Sequence, residues 1–131
     1  MKVASKPNGS FRILVAEDDP EMRALLTDEL SDEGYEVIPA EDGVEAADKI
    51  AHEGFDLVIT DIRMPNIGGF ELLPIVKEVC PDIPVIVVTA FGDEPSFNEA
   101  YEKGAVDYIS KPFRILDLKN AVKQALKRKG G

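Results

Sequence analysis

Short apolar runs alternate along this chain with segments whose apolar residues recur at helical spacing. Unbroken runs rich in β-branched residues are typical of strands buried on both faces, as in parallel sheets covered by helices. Pro39 interrupts the second run and favours the edge of a sheet, since proline lacks a backbone donor. The predicted strands are residues 11–16, 35–40, 57–60, 83–89 and 106–110.

Each predicted strand is followed by a predicted helix. Pro74 falls inside the third helix, where the missing N–H and the ring clash cost about 3 kcal/mol and predict a kink. Five strand-helix units with short loops predict an α/β fold, a parallel sheet with right-handed crossovers and helices on both faces. The apolar spacing marks helices near residues 22–30, 44–51, 70–79, 96–103 and 115–127.

Composition predicts one acidic globular domain. The chain has 131 residues, 44% of them hydrophobic, which is enough to bury a core. Fifteen Lys and Arg against 25 Asp and Glu give a net charge of −10. Such a charge repels polyphosphate backbones, so we expect no direct nucleic-acid binding and instead cations or basic protein surfaces as partners.

Cysteine usage and hydropathy indicate the compartment. Cys80 is the single cysteine, so no intrachain disulfide can form. No apolar run approaches the roughly 20 residues that cross a bilayer, and residues 1–10 lack the apolar centre of a secretory signal. We therefore expect a cytoplasmic protein that does not enter membranes, with residues 1–10 as a flexible lead-in.

Charged and hydroxyl side chains follow the predicted strands at their carboxyl ends, the edge where open α/β sheets bind ligands. If the first and third strands are neighbours, at least two of these acids converge, and carboxylates about 4 Å apart repel by about 4 kcal/mol at an effective dielectric constant of 20, so a cation must neutralise them. Mg²⁺ fits, because it takes one or two carboxylates and keeps sites for water and phosphate oxygens. The side chains are Glu17, Asp18 and Asp19 after the first strand, Asp61 after the third, Thr89 ending the fourth and Lys111 after the fifth.

Three of these residues predict phosphoryl chemistry. Lys111 supplies a positive charge suited to phosphate, and the Thr89 hydroxyl can donate a hydrogen bond to it. Asp61 is a candidate nucleophile, since a carboxylate can form an acyl phosphate. A bound metal ion and Lys111 would stabilise the phosphoryl oxygens during transfer.

Four sequence strings in this order resemble the receiver domain of two-component response regulators. They are residues 13–19, 60–65, 88–90 and 108–113, and the resemblance covers residues 11–127. It implies a flavodoxin-like, doubly wound (βα)5 fold with strand order 2-1-3-4-5. The receiver domain is then expected over residues 11–129.

The resemblance also implies a set of site roles. Asp61 is expected to accept a phosphoryl group from a histidine kinase or a histidine phosphotransfer protein. Mg²⁺ is expected on Asp18 and Asp61, with Glu17 acting through water and the Arg63 carbonyl as a further ligand. Asp19 resembles a neighbour of the site and not a ligand.

The remaining implied roles concern the phosphate and the switch. Lys111 is expected to hold the phosphate and to precede a cis peptide bond to Pro112. Thr89 is expected to move toward the phosphate while Tyr108 turns inward, which changes the surface of the fourth helix, fifth strand and fifth helix. Such a module assists its own phosphorylation and dephosphorylation but acts as a signal for a downstream protein or output domain, or through phosphorylation-dependent dimerisation.

Two departures from the family pattern carry expectations. Gly68 and Gly69 stand where many receivers have Asp-Gly, so the third helix loses a side-chain N-cap. Arg63 and Phe91 occupy positions that resemble the family's tuners of phosphate lifetime. We expect the bulky Phe91 to hinder attacking water and to slow hydrolysis.

Two other functions compete with the signalling module. A Mg²⁺-dependent phosphatase with an Asp nucleophile would want a second Asp two residues after Asp61, where Arg63 stands. A flavodoxin-like binder of a small molecule would want glycines after the first strand, where residues 17–20 read Glu-Asp-Asp-Pro. An unphosphorylated, degenerate receiver is disfavoured because every acceptor-site residue is present.

Overall fold

A computed structural model describes residues 11–90 and 93–130. Strands and helices alternate strictly over these residues. In chain order they are β1 (Arg12–Ala16), α1 (Pro20–Asp32), β2 (Glu36–Ala40), α2 (Gly43–His52), β3 (Leu57–Thr60), α3 (Gly69–Val79), β4 (Val85–Thr89), α4 (Glu94–Glu102), β5 (Asp107–Ser110) and α5 (Ile115–Gly130).

The five strands form one parallel sheet in the order β2-β1-β3-β4-β5. This confirms the predicted flavodoxin-like fold and strand order. Strand β2 lies at an edge, where its Pro39 pairs in register with Val15 and the missing N–H is tolerated. The order reverses between β1 and β3, which places the ends of these two strands on either side of a crevice.

Apolar side chains pack on both faces of the sheet. Alternation along β1 sends Leu14 to one face and Ile13 and Val15 to the other, and all three are fully buried. One face is covered by α2 and α3 through Ala46, Ile50, Leu72, Leu73 and Val76. The other is covered by α1 and α5 through Leu26, Leu30, Leu118, Val122, Ala125 and Leu126.

Two element boundaries differ from the predicted ones for local reasons. Strand β4 begins at Val85 instead of Ile83, because Pro84 has no N–H, although its carbonyl accepts a bond from the Val58 N–H at 3.0 Å. Helix α4 begins at Glu94, ahead of the predicted start, because the Asp93 carboxylate caps it by accepting the Ser96 N–H.

Helix α3 extends from Gly69 through Pro74 to Val79. Its N-cap residue Gly68 provides no side-chain cap, as predicted. The Gly68 N–H instead donates to Glu71 Oε1 at 2.9 Å, which supplies one half of a capping box.

The predicted lead-in over residues 1–10 and the residue Phe91 lie outside the described part of the chain. Within the described residues, no helix is both long enough and apolar enough to span a bilayer.

Candidate functional site

Asp61 follows the last residue of β3 and lies beside the end of β1, because its N–H donates to the Ala16 carbonyl at 3.1 Å. Its side chain is 5% exposed. The Oδ1 atom accepts the Ile62 N–H at 2.6 Å and the Arg63 N–H at 3.4 Å. Backbone donors therefore fix one carboxylate oxygen and leave Oδ2 to accept from Lys111 Nζ at 2.9 Å.

The start of α3 packs directly against the backbone of Asp61. A Cβ placed on Gly69 would overlap the Asp61 carbonyl oxygen. Only glycine permits this approach, so the second glycine of the Gly68-Gly69 pair has a steric role in seating Asp61.

Lys111 joins the first, third and fifth strands at the site. It follows β5, and its N–H donates to the Thr89 carbonyl at 2.8 Å. Its Nζ lies 2.8 Å from Glu17 Oε1 and 2.9 Å from Asp61 Oδ2, with 14% of the side chain exposed. The Lys111–Pro112 peptide bond is cis, as the resemblance implied.

Glu17 is almost completely buried, with 2% of its surface exposed. Its Oε2 accepts the Asp19 N–H at 3.1 Å while Oε1 accepts from Lys111. Burial raises the pKa of the Glu17 carboxyl, and the bond from Lys111 opposes that shift. Burial alone would lower the pKa of Lys111, but the bonds to Glu17 and Asp61 outweigh it and raise that pKa. The ammonium is therefore held charged between two buried carboxylates.

Glu17, Asp18 and Asp61 can each present one carboxylate oxygen within 4.8 Å of the other two. Carboxylate oxygens are the ligands that Mg²⁺ prefers, and the ion usually keeps several waters that can bridge to a more distant carboxylate. Asp18 is exposed, and an open groove leads from it along the loop between β3 and α3. The donor set thus fits a hard divalent cation that enters from solvent.

Thr89 is fully buried at the end of β4. Tyr108 lies on the neighbouring strand, with its ring 5.6 Å from that of Phe97 in an edge-to-face arrangement. Burial raises the pKa of the Tyr108 hydroxyl, and Ser96 and Asp93 lie beside it. The Tyr108 hydroxyl oxygen is buried in this structure.

Phe97 and Tyr101 form an exposed aromatic pair on α4. Their ring centroids are 4.8 Å apart, and the two residues are 44% and 39% exposed. Because Phe97 contacts Tyr108 as well, the aromatic contacts run from the sheet edge to the surface of α4.

The structure brings together Glu17, Asp18, Asp61 and Lys111 and places Thr89 on the adjoining strand, as the sequence predicted. Asp19 lies outside the cluster and instead caps α1, its Oδ1 accepting the Glu21 N–H at 3.1 Å.

One contact at this site was not expected from the sequence. Arg23 Nη1 donates to the Glu17 carbonyl at 2.8 Å and to the Asp18 carbonyl at 3.4 Å. A cation near the start of a helix faces the positive end of the helix dipole. That unfavourable placement was the available signal that Arg23 has another partner.

Comparisons with known proteins agree with this geometry. The family model described as the response regulator receiver domain matches residues 13–123. Sporulation initiation phosphotransferase F of Bacillus subtilis is 36% identical over 115 residues, covering 88% of this chain and 93% of that protein. The transcriptional regulator NtrC of Rhizobium meliloti is 40% identical over 114 residues, covering 87% of this chain but 24% of that longer protein.

Solved structures show the same similarity. A receiver domain protein of Methanospirillum hungatei has a TM-score of 0.88 at 33% identity, covering 91% of this chain and 95% of that one. The response regulator TrrA of Thermotoga maritima, solved in complex with Mg(2+)-BeF, has a TM-score of 0.81 at 39% identity, covering 88% of this chain and 99% of that one.

Proposed function

The chain belongs to the response regulator receiver domain family, and from that premise we propose that it is a switch controlled by phosphorylation of Asp61. The observation that carries the proposal is the arrangement around Asp61 Oδ2. That oxygen has Lys111 Nζ at 2.9 Å and lies in the carboxylate cluster with Glu17 and Asp18.

Asp18 and Asp61 would hold Mg²⁺ directly, together with the Arg63 carbonyl, and Glu17 would act through water. Receiver domains bind Mg²⁺ in general, and the three clustered carboxylates support the same site in this chain. When bound, the ion supplies positive charge that neutralises carboxylates and phosphoryl oxygens.

Asp61 Oδ2 attacks the phosphorus of the donor, forming a P–O bond as the P–N bond of the donor phosphohistidine breaks and the imidazole nitrogen leaves with the electron pair. Oδ1 keeps its bond from the Ile62 N–H, so the carboxylate does not rotate. Lys111 exchanges its bond to Asp61 Oδ2 for one to a phosphoryl oxygen while Glu17 holds it in place. Lys111 therefore moves with little reorganisation, which is the electrostatic advantage of a preorganised site.

The phosphorylated aspartate carries about two negative charges and strong acceptor oxygens. Thr89 would donate to one of these oxygens, and the space that Thr89 vacates would admit the Tyr108 ring as it turns inward. The aromatic contact between Tyr108 and Phe97 then transmits the change to the exposed surface of α4.

The proposed partners are a histidine kinase or histidine phosphotransfer protein as donor and a downstream protein or output domain as target. Phosphorylation-dependent dimerisation through the α4 surface is a further mode. The proposed domain spans residues 11–129 and works in the cytoplasm, where the donors of phosphohistidine act. The phosphatase alternative receives no support, because Arg63 offers no general acid beside Asp61.

Incubation with Mg²⁺ and acetyl phosphate, followed by intact mass measurement, tests the proposal. The wild-type chain is expected to gain one phosphoryl group and the Asp61→Asn variant none. Asp19→Asn is the matched control, because asparagine also caps helices and Asp19 lies outside the cluster. No mass gain in wild type, or a gain that persists in Asp61→Asn, would refute phosphorylation at Asp61.

A further inference from the structure

The loop between β1 and α1 carries two of the three carboxylates of the proposed metal site. Several hydrogen bonds hold this loop, among them one from the Glu17 N–H to the Ala40 carbonyl at 3.0 Å. Lys111 donates to Glu17 Oε1, the Asp19 N–H donates to Glu17 Oε2, and Arg23 donates to the main-chain carbonyls of Glu17 and Asp18.

These bonds serve the two carboxylates unequally. Both side-chain oxygens of Glu17 accept hydrogen bonds. Among the described residues, by contrast, no group donates a hydrogen bond to the exposed Asp18 carboxylate. The direction of the Asp18 side chain therefore depends on its backbone, and Arg23 is the side chain that contacts the Asp18 carbonyl.

Arg23 lies in the first turns of α1, directly after this loop. Its own N–H donates to the Asp19 carbonyl at 2.8 Å, which fixes its backbone in the first turns of α1. One nitrogen of its side chain, Nη1, donates to both carbonyls.

We propose that Arg23 is a positioning residue for the Mg²⁺ site, which fixes the backbone of Glu17 and Asp18 so that the Asp18 carboxylate points at Asp61. This inference rests on the proposed function. Residues that orient metal ligands from outside the coordination sphere change metal affinity by about 10- to 100-fold when removed. Arg23 acts through the backbone, and Mg²⁺ retains several waters, so the lower end of that range applies.

The sign of the effect separates positioning from simple electrostatics. Removing a positive charge near three carboxylates would by itself tighten the binding of a cation. Loss of positioning weakens it. Arg23→Met keeps most of the apolar stem and removes both the charge and the donors, so the two explanations predict opposite changes in Mg²⁺ affinity.

The experiment is a Mg²⁺ titration of the full chain followed by NMR, with the amide signals of Ile62 and Arg63 as reporters of the site. Arg23→Met is expected to weaken Mg²⁺ binding about tenfold. Arg23→Lys is expected to bind within about threefold of wild type, because a single point donor can replace Nη1. The control is Arg114→Met, whose arginine is 82% exposed and pairs with Asp117; its affinity is expected to match wild type.

Urea unfolding of the same variants separates positioning from stability, since the titration reads only the folded protein. Unchanged or tighter Mg²⁺ binding in Arg23→Met overturns the inference, whatever its stability. A lysine variant as weak as the methionine variant also overturns it. Wild-type protein that binds no Mg²⁺ refutes the proposed metal site itself, and this inference with it.

Discussion

Replacing Lys111 by methionine removes the cation that lies between Glu17 and Asp61. Methionine has about the length and volume of the lysine stem, so the change isolates the charge from the packing. Two carboxylates that are 2% and 5% exposed then face each other without the cation that lay between them. We expect the variant to be markedly less stable in the absence of divalent cations.

The size of the loss follows from the geometry. Unit charges 2.9 Å apart, as for Lys111 Nζ and Asp61 Oδ2, attract by about 6 kcal/mol at an effective dielectric constant of 20. The cost of desolvating Lys111 offsets much of that attraction, and deleting one member of a buried ion pair typically costs about 3 to 5 kcal/mol. Because 14% of the Lys111 side chain is exposed, water can reach the two carboxylates where the ammonium lay. We therefore expect the loss of stability to be near the lower end of that range, about 3 kcal/mol.

A double-mutant cycle measures the electrostatic part. In an Asp61→Asn background the Lys111 ammonium keeps its charged bond to Glu17 but faces a neutral amide at position 61, so Lys111→Met should cost about 1.5 kcal/mol less there than in wild type. The assay is equilibrium urea unfolding at neutral pH with a chelator present. The matched control is Lys123→Met, since Lys123 is 55% exposed and lies 4.0 Å from Glu33; it should cost less than about 0.5 kcal/mol.

Saturating Mg²⁺ should restore part of the stability of Lys111→Met, because a bound cation replaces the missing charge. The reasoning fails if Lys111→Met loses no more stability than Lys123→Met. It also fails if the loss is the same in the Asp61→Asn background, since the effect would then arise from packing and not from the two charges.

Three further changes probe the framework of the site. Pro74→Ala should raise the free energy of unfolding by about 2 kcal/mol in urea titrations. Pro74 is exposed within α3, where removing a proline gains about 3 kcal/mol, and the greater freedom of the unfolded chain takes back about 1 kcal/mol. No gain in stability would show that α3 adapts to the proline ring. Gly69→Ala should cost about 2 kcal/mol or more and shift the NMR signals of Asp61, since the new Cβ meets the Asp61 carbonyl; a neutral effect would contradict the close approach. The hydrogen bonds from Ser96 lower the pKa of the Asp93 carboxyl. The stability that the ionised Asp93 carboxylate contributes is therefore present above the ordinary aspartate pKa and is lost as pH falls through the lowered value. Ser96→Ala should raise the pKa of Asp93 in an NMR titration, and an unchanged pKa would exclude the Ser96 hydroxyl as the cause.

The sequence predicted the fold because its strands are buried in a way that leaves little ambiguity. Every residue of β3 and β4 is buried, and unbroken β-branched runs of this length are typical of strands covered on both faces. Boundaries were less predictable where a single polar contact decides them. Helix α4 starts earlier than its apolar spacing indicates, because the Asp93 carboxylate caps it.

The acidic cluster was predictable from the parallel sheet together with the strand order that the resemblance implied, since the carboxyl ends of neighbouring parallel strands share one edge. The contact between Lys111 and Glu17 was not, because it joins residues 94 positions apart through side-chain geometry. The Arg23 contact was missed for a related reason. Its partners are main-chain carbonyls, which every residue has, so no pattern of residue types marks them.

The buried position of Glu17 costs stability in the unphosphorylated protein, as its raised pKa indicates. On the proposed function this cost has a use. Phosphorylation draws the Lys111 ammonium away from Asp61 Oδ2 to a phosphoryl oxygen. An ammonium without a second partner would be mobile, and the phosphoryl group bound to it would be less precisely positioned. Glu17 accepts from Lys111 at 2.8 Å, separately from Asp61, so the lysine can change one acceptor while the other stays fixed. The site thus limits reorganisation to a single hydrogen bond, and the change in charge at Asp61 can act on Thr89 and Tyr108 instead of being absorbed by movement of Lys111.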